Sequence, residues 1–445
     1  MYQQDAICAL ATPSGVGAIA VIRISGEKTF SIVNQLFRGK DLTQVESHTV
    51  HFGTIREGDV IVDEVLAAVF KSPKSFTKED TVEISCHGSD YIIRQIIKLL
   101  VKHGARLARP GEFTQRAFLN GQFDLVQAEA VADLIAADSA ASHRTALNQL
   151  RGGFSKKLAS LREELIHFAS MVELELDFGE EDVEFANRDD LKTLIINLQS
   201  TIGPLIESFD FGNALKEGVP VAIIGAPNVG KSTLLNALLN EEKAIVTAIA
   251  GTTRDVIEDI LYIDGIKFRI IDTAGIRETE DIVESMGIER SKRAMNQADI
   301  VLMLFDSEET LEDVENLAAG LEDKKKIVWV RNKADLALPT RKSNEIAISA
   351  KTGEGIETLK KSLTASLLAA DSGSDTIITN LRHYEHLEKT QQALRDALNG
   401  LEMNITGDFL AQDIRLALHH LGEITGQIVN DDLLANIFSK FCIGK

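Results

Sequence analysis

Apolar and polar positions recur with different periods along this chain, and these periods divide it into regions. Within residues 1 to about 118, Gly15–Ile24 is typical of a turn leading into a strand, and Val60–Phe70 and Thr81–Ser85 are typical of further strands. Residues Tyr91–His103 place apolar side chains at helical spacing, which predicts an amphipathic helix. We therefore expect a mixed α/β N-terminal region.

From Asp124 onwards the pattern becomes helical. Asp124 and Gln127 are expected to form an N-cap pair ahead of an alanine-rich stretch. A long helix with one apolar seam follows, because apolar residues recur at steps of four and three; they are Phe154, Leu158, Leu161, Leu165, Phe168 and Val172. Packing inside the chain is favoured over a coiled-coil partner, although both fit the seam. The helical pattern continues over 190–209, where Pro204 predicts a kink or a break.

A strand, a glycine-rich loop and a helix are predicted in succession near the centre of the chain. The apolar run Val219–Ile224 leads into Gly225–Ser232, which reads G-x-x-x-x-G-K-S, and Thr233–Leu239 has a helical pattern. In that context the glycines let backbone N–H groups surround phosphates, and the helix N-terminus favours negative charge. Lys231 is expected to reach the β and γ phosphates, and the Ser232 hydroxyl to ligate Mg²⁺.

Further motifs indicate that the nucleotide is GTP. Residues 270–275 form an apolar strand that ends in D-x-x-G, where Asp272 can hold Mg²⁺ through water and the Gly275 N–H can face the γ-phosphate. Residues 328–335 end in N-K-x-D, where the Asp335 carboxylate can accept hydrogen bonds from guanine N1–H and the 2-amino group. Adenine lacks that amino group, so ATP would leave the carboxylate unpaired, at a cost on the order of several kcal/mol.

Two shorter segments complete this expected nucleotide site. Ser349–Lys351 fits a loop that contacts guanine O6, and Gly251–Arg254 supplies a threonine for the second magnesium position. The residues that these motifs assign to GTP are Asn228, Val229, Gly230, Lys231, Ser232, Thr233, Gly251, Thr252, Thr253, Asp272, Thr273, Ala274, Gly275, Asn332, Lys333, Asp335, Ser349, Ala350 and Lys351.

The residue that orients the attacking water is not given by these motifs. Many small GTPases place a glutamine directly after D-x-x-G, but this chain has Ile276, whose side chain is apolar. Candidates lie in the charged stretch 277–281 and at Glu284, although a solvated switch loop also accounts for such charges. The Asn228 side chain could coordinate a monovalent cation beside the phosphates, or it could serve only to form the turn.

The helical pattern returns after the nucleotide motifs. Residues 369–375 resemble a linker, and 382–402 and 408–421 predict helices. The fold class is therefore α/β plus all-α, with a helical domain interrupted by an inserted GTPase domain. The expected ranges are 1–118 for the N-terminal domain, 119–212 and 371–445 for the two helical parts, and 213–370 for the GTPase domain.

Composition excludes several classes of function. The net charge is −20, from 67 acidic and 47 basic residues, so non-specific binding to nucleic acid by charge alone is not expected. An RNA partner would be met through a local patch or a helper subunit. The three cysteines form neither a metal spacing nor a disulfide framework, which suits a reducing cytoplasm. No secretion signal is expected, because the N-terminus lacks a basic segment followed by an apolar one. No membrane span is expected, because no apolar run approaches about 18 residues.

Motifs outside the nucleotide site extend the evidence over the whole chain. They are Ala11-Thr12-Pro13, Val21–Gly26, Phe76–Asp80 with His87-Gly88, Arg109–Phe113, Arg116–Gly121 and Phe441–Lys445. With these motifs, the chain resembles the MnmE (TrmE) family of tRNA modification GTPases from end to end. The Arg109 segment and the terminal pentapeptide are specific, whereas the nucleotide motifs alone would also fit GTPases of ribosome assembly.

The resemblance implies a tetrahydrofolate-binding N-terminal domain, a discontinuous helical domain and an inserted Ras-like P-loop GTPase domain. It also implies a homodimer, a heterotetramer with the flavoprotein MnmG, and action on tRNA. The product would carry a carboxymethylaminomethyl or aminomethyl group at C5 of uridine 34. A 5-formyl or 5,10-methylene tetrahydrofolate would supply the one-carbon unit, and FAD would be bound by the partner only.

The resemblance also implies roles for single residues. Glu284 matches the catalytic glutamate, and Ser232 and Thr253 match the Mg²⁺ ligands. The matches for K⁺ are Asn228, Thr247, Ile249 and Thr252, and the loop 247–250, which also contains Ala248 and Ala250, is expected to contact the nucleotide. The matches for folate are Arg23, Glu83, Gln122 and Lys445. Cys442 matches the residue needed for the modification step. Gln122 departs from the family pattern, which has a basic residue there. For Cys442 a buried structural thiol is the alternative, since Gly444 and Lys445 do not fit a prenylation motif.

Two other functions fit part of the sequence. A regulatory GTPase of ribosome assembly would usually append an RNA-binding module, but residues 376–445 are acidic, have helical patterns and lack a G-x-x-G loop. A structural dimer that uses GTP only as a switch would keep its function without hydrolysis.

Overall fold

The computed structural model describes residues 5–177, 188–240, 259–271, 284–319, 326–336, 344–368, 377–403, 405 and 407–444. The chain divides into two compact units. The first comprises Met1–Ile135, Leu147–Leu191 and Ala393–Lys445, and the second comprises Ala136–Ala146 and Lys192–Gln392.

The N-terminal part of the first unit is built on one sheet. Its strands are β1 Ile7–Leu10, β2 Gly17–Ser25, β3 Phe37–Arg38, β4 Thr49–Glu57, β5 Val60–Phe70, β6 Thr81–Gly88 and β7 Arg106–Leu107. Their order is β3-β4-β5-β6-β2-β1-β7; β1 and β7 pair in parallel, and the other neighbours are antiparallel. The helices here are α1 Thr29–Leu36, α2 Asp90–Lys102 and α3 Glu112–Leu119.

Alternation of apolar residues explains why one face of this sheet carries the core. Ile22 and Ile24 of β2, Val82 and Ile84 of β6, and Ile96 of α2 are fully buried together. The strands predicted over 60–70 and 81–85 and the helix predicted over 91–103 are confirmed as β5, β6 and α2. The turn predicted before β2 is also confirmed, since Gly15 has a φ of 125°, which a residue with a side chain rarely adopts.

Helices follow the sheet. They are α4 Leu125–Ala136, α5 Ala140–Leu150, α6 Gly153–Asp177, α7 Arg188–Glu207 and α8 Phe209–Glu217. The predicted cap is confirmed, because the Gln127 N–H donates to Asp124 Oδ1 (2.8 Å) and the Asp124 N–H donates to Gln127 Oε1 (3.1 Å). The Gln127 side chain also donates to the Leu150 carbonyl (2.9 Å) and so ties the start of α4 to the end of α5. Pro204 does not end α7, which continues to Glu207.

The long apolar seam of α6 is buried as predicted, from Phe154 to Val172. C-terminal helices complete the fold: α13 Leu381–Glu402, α14 Gly407–Thr425 and α15 Asp431–Ser439. Helix α6 packs against α14, and Arg415 pairs with Glu173 across that contact (2.7 Å). Packing within the chain therefore explains the seam. Among the described residues, no helix combines the length and the apolar character that a bilayer span requires.

The second unit contains a second sheet. Its strands are β8 Val219–Ile224, β9 Asp259–Ile263, β10 Ile266–Ile270, β11 Ile300–Phe305, β12 Lys326–Arg331 and β13 Ile346–Ala347, in the order β13-β12-β11-β8-β10-β9. All neighbours are parallel except β9 and β10. The helices of this part are α9 Lys231–Asn240, α10 Glu284–Gln297, α11 Glu308–Ala319 and α12 Ile356–Leu368.

The expected fold class is thus confirmed: two α/β parts and an all-α part are present. The parallel arrangement has a consequence for function, because the carboxyl ends of β8, β11, β12 and β13 lie at the same edge of the sheet. Loops that follow these strands are the usual place for a ligand in such folds.

Candidate functional site

The phosphate loop lies where the sequence predicts it. Strand β8 is in the middle of the sheet between β10 and β11, the loop follows from Gly225 to Gly230, and α9 begins at Lys231. A Cβ at Gly225 would collide with the Leu304 carbonyl oxygen of β11. Gly230 has a φ of 100°, and a Cβ there would collide with the Asn332 amide. The two glycines therefore let the loop pass close to the strands beside it.

Lys231 is folded back over this loop. Its Nζ donates to the carbonyl oxygens of Gly225 (2.8 Å) and Ala226 (2.9 Å). Burial lowers the pKa of Lys231 below its ordinary value, because the charged ammonium is partly removed from water. A phosphate beside this group would restore favourable electrostatics. Ser232 and Thr233 occupy the next positions of the first helical turn, at the positive end of the helix dipole.

Asn332 links the phosphate loop to the loops that are expected to contact the base. The residue is buried, with 3% of its surface exposed. Its Nδ2 donates to the Val229 carbonyl (2.7 Å), and its Oδ1 accepts from the Ala350 N–H (3.0 Å). One amide therefore holds the G-x-x-x-x-G-K-S, N-K-x-D and S-A-K segments together.

The neighbouring base-site residues are arranged around this amide. Lys333 has a φ of 60° and its Nζ donates to the Asn228 carbonyl (3.2 Å). Asp335 is exposed at the start of a short 3₁₀ turn, where its carboxylate is accessible to a ligand. Ser349 is buried and its Oγ accepts from the Thr352 N–H (3.3 Å). Ala350 is buried beside it, and Lys351 is exposed.

Asp306 belongs to this site but is absent from the sequence-based set. It follows β11, and its Oδ2 pairs with Lys333 Nζ (2.5 Å), which positions the lysine against the phosphate loop. A signal was available, since an acidic residue directly follows an apolar run at residues 300–305. The order of the strands, which puts β11 next to β12, was not available from the sequence.

Several expected site residues lie outside the part of the chain that the structure describes. Thr247, Ala248, Ile249, Ala250, Gly251, Thr252 and Thr253 lie outside the described residues, as do Asp272, Thr273, Ala274 and Gly275. Glu284 is the first residue of α10, and its side chain lies outside the description. Their assignments stay predictions. The Asn228 side chain is exposed at the tip of the loop, where φ is 63°. Its amide oxygen is a suitable donor atom for a hard cation.

Two of the expected folate residues, Arg23 and Glu83, meet in the first unit. We name the group that they form with Phe76, Phe113 and Gly444 the Arg23 cluster. Arg23 on β2 lies opposite Glu83 on β6 in the sheet register, and the two side chains form an ion pair (2.7 Å). The guanidinium carbon lies 5.5 Å from the Phe76 ring centre and 5.6 Å from that of Phe113. Arg23 Nη1 also donates to the Gly444 carbonyl (3.5 Å). The cluster offers donors, acceptors and aromatic surface, which suits a planar heterocycle.

The remaining predicted folate and modification residues have different surroundings. Gln122 is exposed, and its N–H donates to the Ala117 carbonyl (2.8 Å) at the end of α3. Cys442 is an exposed free thiol, so the buried-thiol alternative is wrong. The Cys442 carbonyl accepts from the Gly111 N–H (3.4 Å). Lys445 lies outside the described residues, next to Gly444.

A buried ionic network lies in the same part of the first unit. Arg116 is 1% exposed and pairs with Asp5 (2.8 Å), Glu112 (3.2 Å) and Glu79 (3.3 Å). Arg106 also pairs with Glu112 (2.6 Å). The hydrogen bond from Arg106 lowers the pKa of Asp5. Burial alone would raise the pKa of Glu112, but hydrogen bonds from Arg106 and from the Arg109 N–H lower it below its ordinary value.

Comparison with known proteins extends these observations. The model of the MnmE helical domain matches residues 125–442, and that of the GTP-binding protein TrmE N-terminus matches residues 6–122. The tRNA modification GTPase MnmE of Cytophaga hutchinsonii is 56% identical over 452 residues, covering 99% of this chain and 98% of that protein. Its counterpart in Christiangramia forsetii is 52% identical over 474 residues, covering 100% of both. A solved FeoB G domain from Methanococcus jannaschii covers 33% of this chain and 96% of its own, with 25% identity and a TM-score of 0.24.

The identity with the two MnmE proteins extends along the whole chain and includes the segments on both sides of the nucleotide motifs. It confirms the enzyme class expected from those motifs, so the protein is a GTPase. The chain belongs to the MnmE family of tRNA modification GTPases.

Proposed function

We propose that this chain is the potassium-dependent, GTP-hydrolysing component of a complex that modifies the wobble uridine of certain tRNAs. The complex adds a carboxymethylaminomethyl or aminomethyl group at C5 of uridine 34. A tetrahydrofolate derivative supplies the one-carbon unit, and FAD is bound by the flavoprotein partner MnmG. A homodimer, a heterotetramer with MnmG, a cytoplasmic location and the domain ranges given above belong to the same proposal.

One observation carries this proposal. A guanine-nucleotide site and the Arg23 cluster occur in a single chain that is more than half identical, from end to end, to proteins named tRNA modification GTPases. A GTPase that acts only as a regulator has no need for a second site of this kind. The two sites fit an enzyme in which GTP hydrolysis at one site is coupled to one-carbon chemistry at the other.

The potassium dependence rests on the phosphate loop. Asn228 presents an exposed amide at the tip of this loop, and Thr247, Ile249 and Thr252 are the other ligands in the proposal. A monovalent cation there would supply positive charge where negative charge develops during phosphoryl transfer. Ile276 cannot orient water, so an electrostatic contribution of this type is needed from another group.

The remaining roles in hydrolysis follow from position. Ser232 and Thr253 hold Mg²⁺, which neutralises the phosphate oxygens. Lys231 contacts the β and γ phosphates from its place over the loop, and Glu284 orients or activates the attacking water. Asp335 selects guanine. We expect Glu284→Ala to lower GTP turnover about 10²–10⁴-fold, the usual contribution of a positioned acid or base.

The folate role rests on the Arg23 cluster. Glu83 offers a carboxylate that can accept two parallel N–H donors, as an amino-substituted heterocycle presents them. The rings of Phe76 and Phe113 lie close to the guanidinium of Arg23. Lys445 directly follows Gly444, whose carbonyl accepts a hydrogen bond from Arg23. Cys442 serves the modification step; its thiol is exposed, and its carbonyl accepts from the Gly111 N–H just before α3. Gln122 is kept as a weaker folate contact.

The decisive experiment is nucleoside analysis of tRNA from cells that lack this chain, by mass spectrometry. We expect the C5-modified uridine to disappear and to return when the wild-type chain is supplied. Cys442→Ser should fail to restore it while the purified variant keeps wild-type GTP turnover. Normal anticodon nucleosides in the deletion strain would contradict the proposal and favour a regulatory GTPase.

Replacement of potassium by sodium tests the hydrolysis mechanism separately. We expect GTP turnover to fall at least about tenfold in sodium, because the cation contributes electrostatically to the transition state. Asn228→Ala should be slow in both salts. Equal rates of the wild-type protein in the two salts would remove Asn228 from the mechanism without affecting the tRNA result.

A further inference from the structure

The β9–β10 hairpin joins two segments that carry expected metal ligands. Thr253 lies six positions before Asp259, where β9 begins, and Asp272 lies two positions after Ile270, where β10 ends. The turn of the hairpin is Asp264-Gly265, and both residues have positive φ, 52° and 76°, as a tight two-residue hairpin requires. Strands of five residues make the hairpin about 17 Å long. Its tip is therefore one strand length from its base, and the base continues in sequence into both segments that carry expected ligands.

The tip of this hairpin is held by residues 138–141, which precede and begin α5. Tyr262 and Lys267 are direct cross-strand partners. Lys267 Nζ pairs with Asp138 Oδ2 at 2.7 Å. The Tyr262 hydroxyl is also hydrogen-bonded to Asp138; burial and the nearby carboxylate raise the pKa of this tyrosine. One carboxylate thus contacts both strands of the hairpin.

The turn itself makes a backbone contact with the same segment. The Ala141 N–H donates to the Gly265 carbonyl at 3.2 Å. A Cβ at Gly265 would lie 3.1 Å from the Ala140 side chain, so the approach is close. Residues 136–146 belong to the second unit together with the hairpin, although the residues before and after them belong to the first.

Asp138 is held in place by the helix start that follows it. Ser139 and Ser142 cap each other, since the Ser142 N–H donates to Ser139 Oγ (3.1 Å) and the Ser139 N–H donates to Ser142 Oγ (3.2 Å). Ser139 is 8% exposed. A capped helix start restricts the backbone next to Asp138, so its carboxylate approaches the hairpin from a defined direction.

We propose that Asp138 is a positioning residue for GTP hydrolysis, which acts by holding the β9–β10 hairpin, whose two strands continue in sequence towards the expected metal ligands Thr253 and Asp272. The contacts of Asp138 do not involve the phosphate loop or the N-K-x-D and S-A-K loops. Loss of Asp138 should therefore affect the rate of hydrolysis rather than nucleotide affinity. The proposal requires only the GTPase activity, and it stands or falls independently of folate and tRNA chemistry.

The test compares steady-state GTP hydrolysis by the full chain and its variants. Asp138→Ala should lower kcat about fivefold, the range of effects of residues that act through intervening structure, and leave KM and GDP affinity within about twofold of wild type. Lys267→Asp alone should show the same loss. The double variant Asp138→Lys with Lys267→Asp restores an ion pair in reverse and should recover kcat to within about twofold. Glu312→Ala removes an exposed carboxylate from α11 and is the matched control.

Tyr262→Phe provides a milder change if Asp138→Ala does not fold. It removes one hydroxyl, keeps the ring, and should lower kcat about twofold with KM unchanged. An unchanged kcat in a folded Asp138→Ala protein would overturn the proposal. Failure of the charge-reversed pair to recover kcat, with a melting temperature equal to that of wild type, would also overturn it.

Discussion

The nucleotide site and the Arg23 cluster are assembled in opposite ways. Phosphate-loop residues are consecutive in sequence, and much of their chemistry comes from the backbone, which the glycines allow to approach β11 and Asn332. The Arg23 cluster instead joins residues that are as far apart as Arg23 and Gly444, and its chemistry comes from side chains. The phosphate loop can therefore be recognised from a short sequence motif. The Arg23 cluster can be recognised only in the folded structure.

The two sites also differ in how their charged groups are stabilised. Among the residues that the structure describes, the partly desolvated Lys231 donates to two neutral carbonyls, so it is prepared for an anion. Arg23 is already paired with Glu83, and its guanidinium carbon lies within 5.6 Å of two aromatic ring centres. We infer that anion binding contributes strongly to the first site, whereas the second recognises shape and hydrogen-bonding pattern.

Among the changes that compare the two sites, the largest effect is expected at Lys231 of the phosphate loop. Lys231→Ala should lower GTP turnover about 10²–10³-fold, the usual result of removing one preorganised electrostatic group. Folate binding, measured by calorimetry on the same variant, should not change. A parallel loss of folate affinity would show that the two sites are not separable and would break the comparison.

The second prediction concerns the amide that joins the three loops. Asn332→Ala leaves the Val229 carbonyl and the Ala350 N–H without partners, at a cost of about 1–3 kcal/mol for each buried group. We expect GDP affinity to fall at least tenfold, as measured by fluorescence titration. Asn148→Ala, at an exposed position of α5, is the control. Wild-type affinity in Asn332→Ala would mean that the loops hold their arrangement without the bridge.

The third prediction concerns Arg23 in the proposed folate site. Arg23→Ala should weaken tetrahydrofolate binding at least about tenfold, because a charge-assisted hydrogen bond contributes about 1.5–3 kcal/mol. GTP turnover should stay within twofold of wild type. Arg23→Lys should recover little affinity, since an ammonium lacks the planar geometry that pairs with Glu83 and lies close to the two rings. Full binding by Arg23→Ala would exclude the cluster as the folate site.

The smallest expected effect is on stability at acidic pH. The folded-state pKa of Glu112 is lowered, so its contribution to stability is complete above the unfolded value of about 4.3 and is lost as pH falls through the folded value. The melting temperature of the wild-type protein should therefore decrease as pH falls below about 4. Glu112→Gln should be less stable at pH 7 and should show a shallower decrease. Equal slopes in the two proteins would exclude this network as a source of acid sensitivity.

Local patterns predicted the fold class and several of its strands and helices, together with the positions of the nucleotide motifs in the sequence. The strands β5, β6 and β8, helix α2, the α6 seam and the Asp124–Gln127 cap depend on spacing within a few residues, and all are confirmed. The break considered at Pro204 is wrong, since α7 continues through this residue to Glu207.

Contacts between distant segments could not be predicted in this way. Asp306 was missed because its role depends on β11 lying beside β12, and nothing within residues 300–306 encodes that order. The contact of Asp138 with Lys267 joins residues that are 129 positions apart. The Arg23 cluster was expected only from family resemblance, since no local rule pairs Arg23 with a carbonyl near the other end of the chain.

The triple use of Gln127 has a mechanical consequence. Its amide caps the first turn of α4 and binds the last carbonyl of α5, so the two helices are fastened to each other at the end opposite the Asp138 turn. Each of the two helices is about 17 Å long at a rise of 1.5 Å per residue, and this hydrogen bond fixes the end of α5 against the start of α4. Loss of the Gln127 side chain would remove the donor to the Leu150 carbonyl and release the two helix ends from each other.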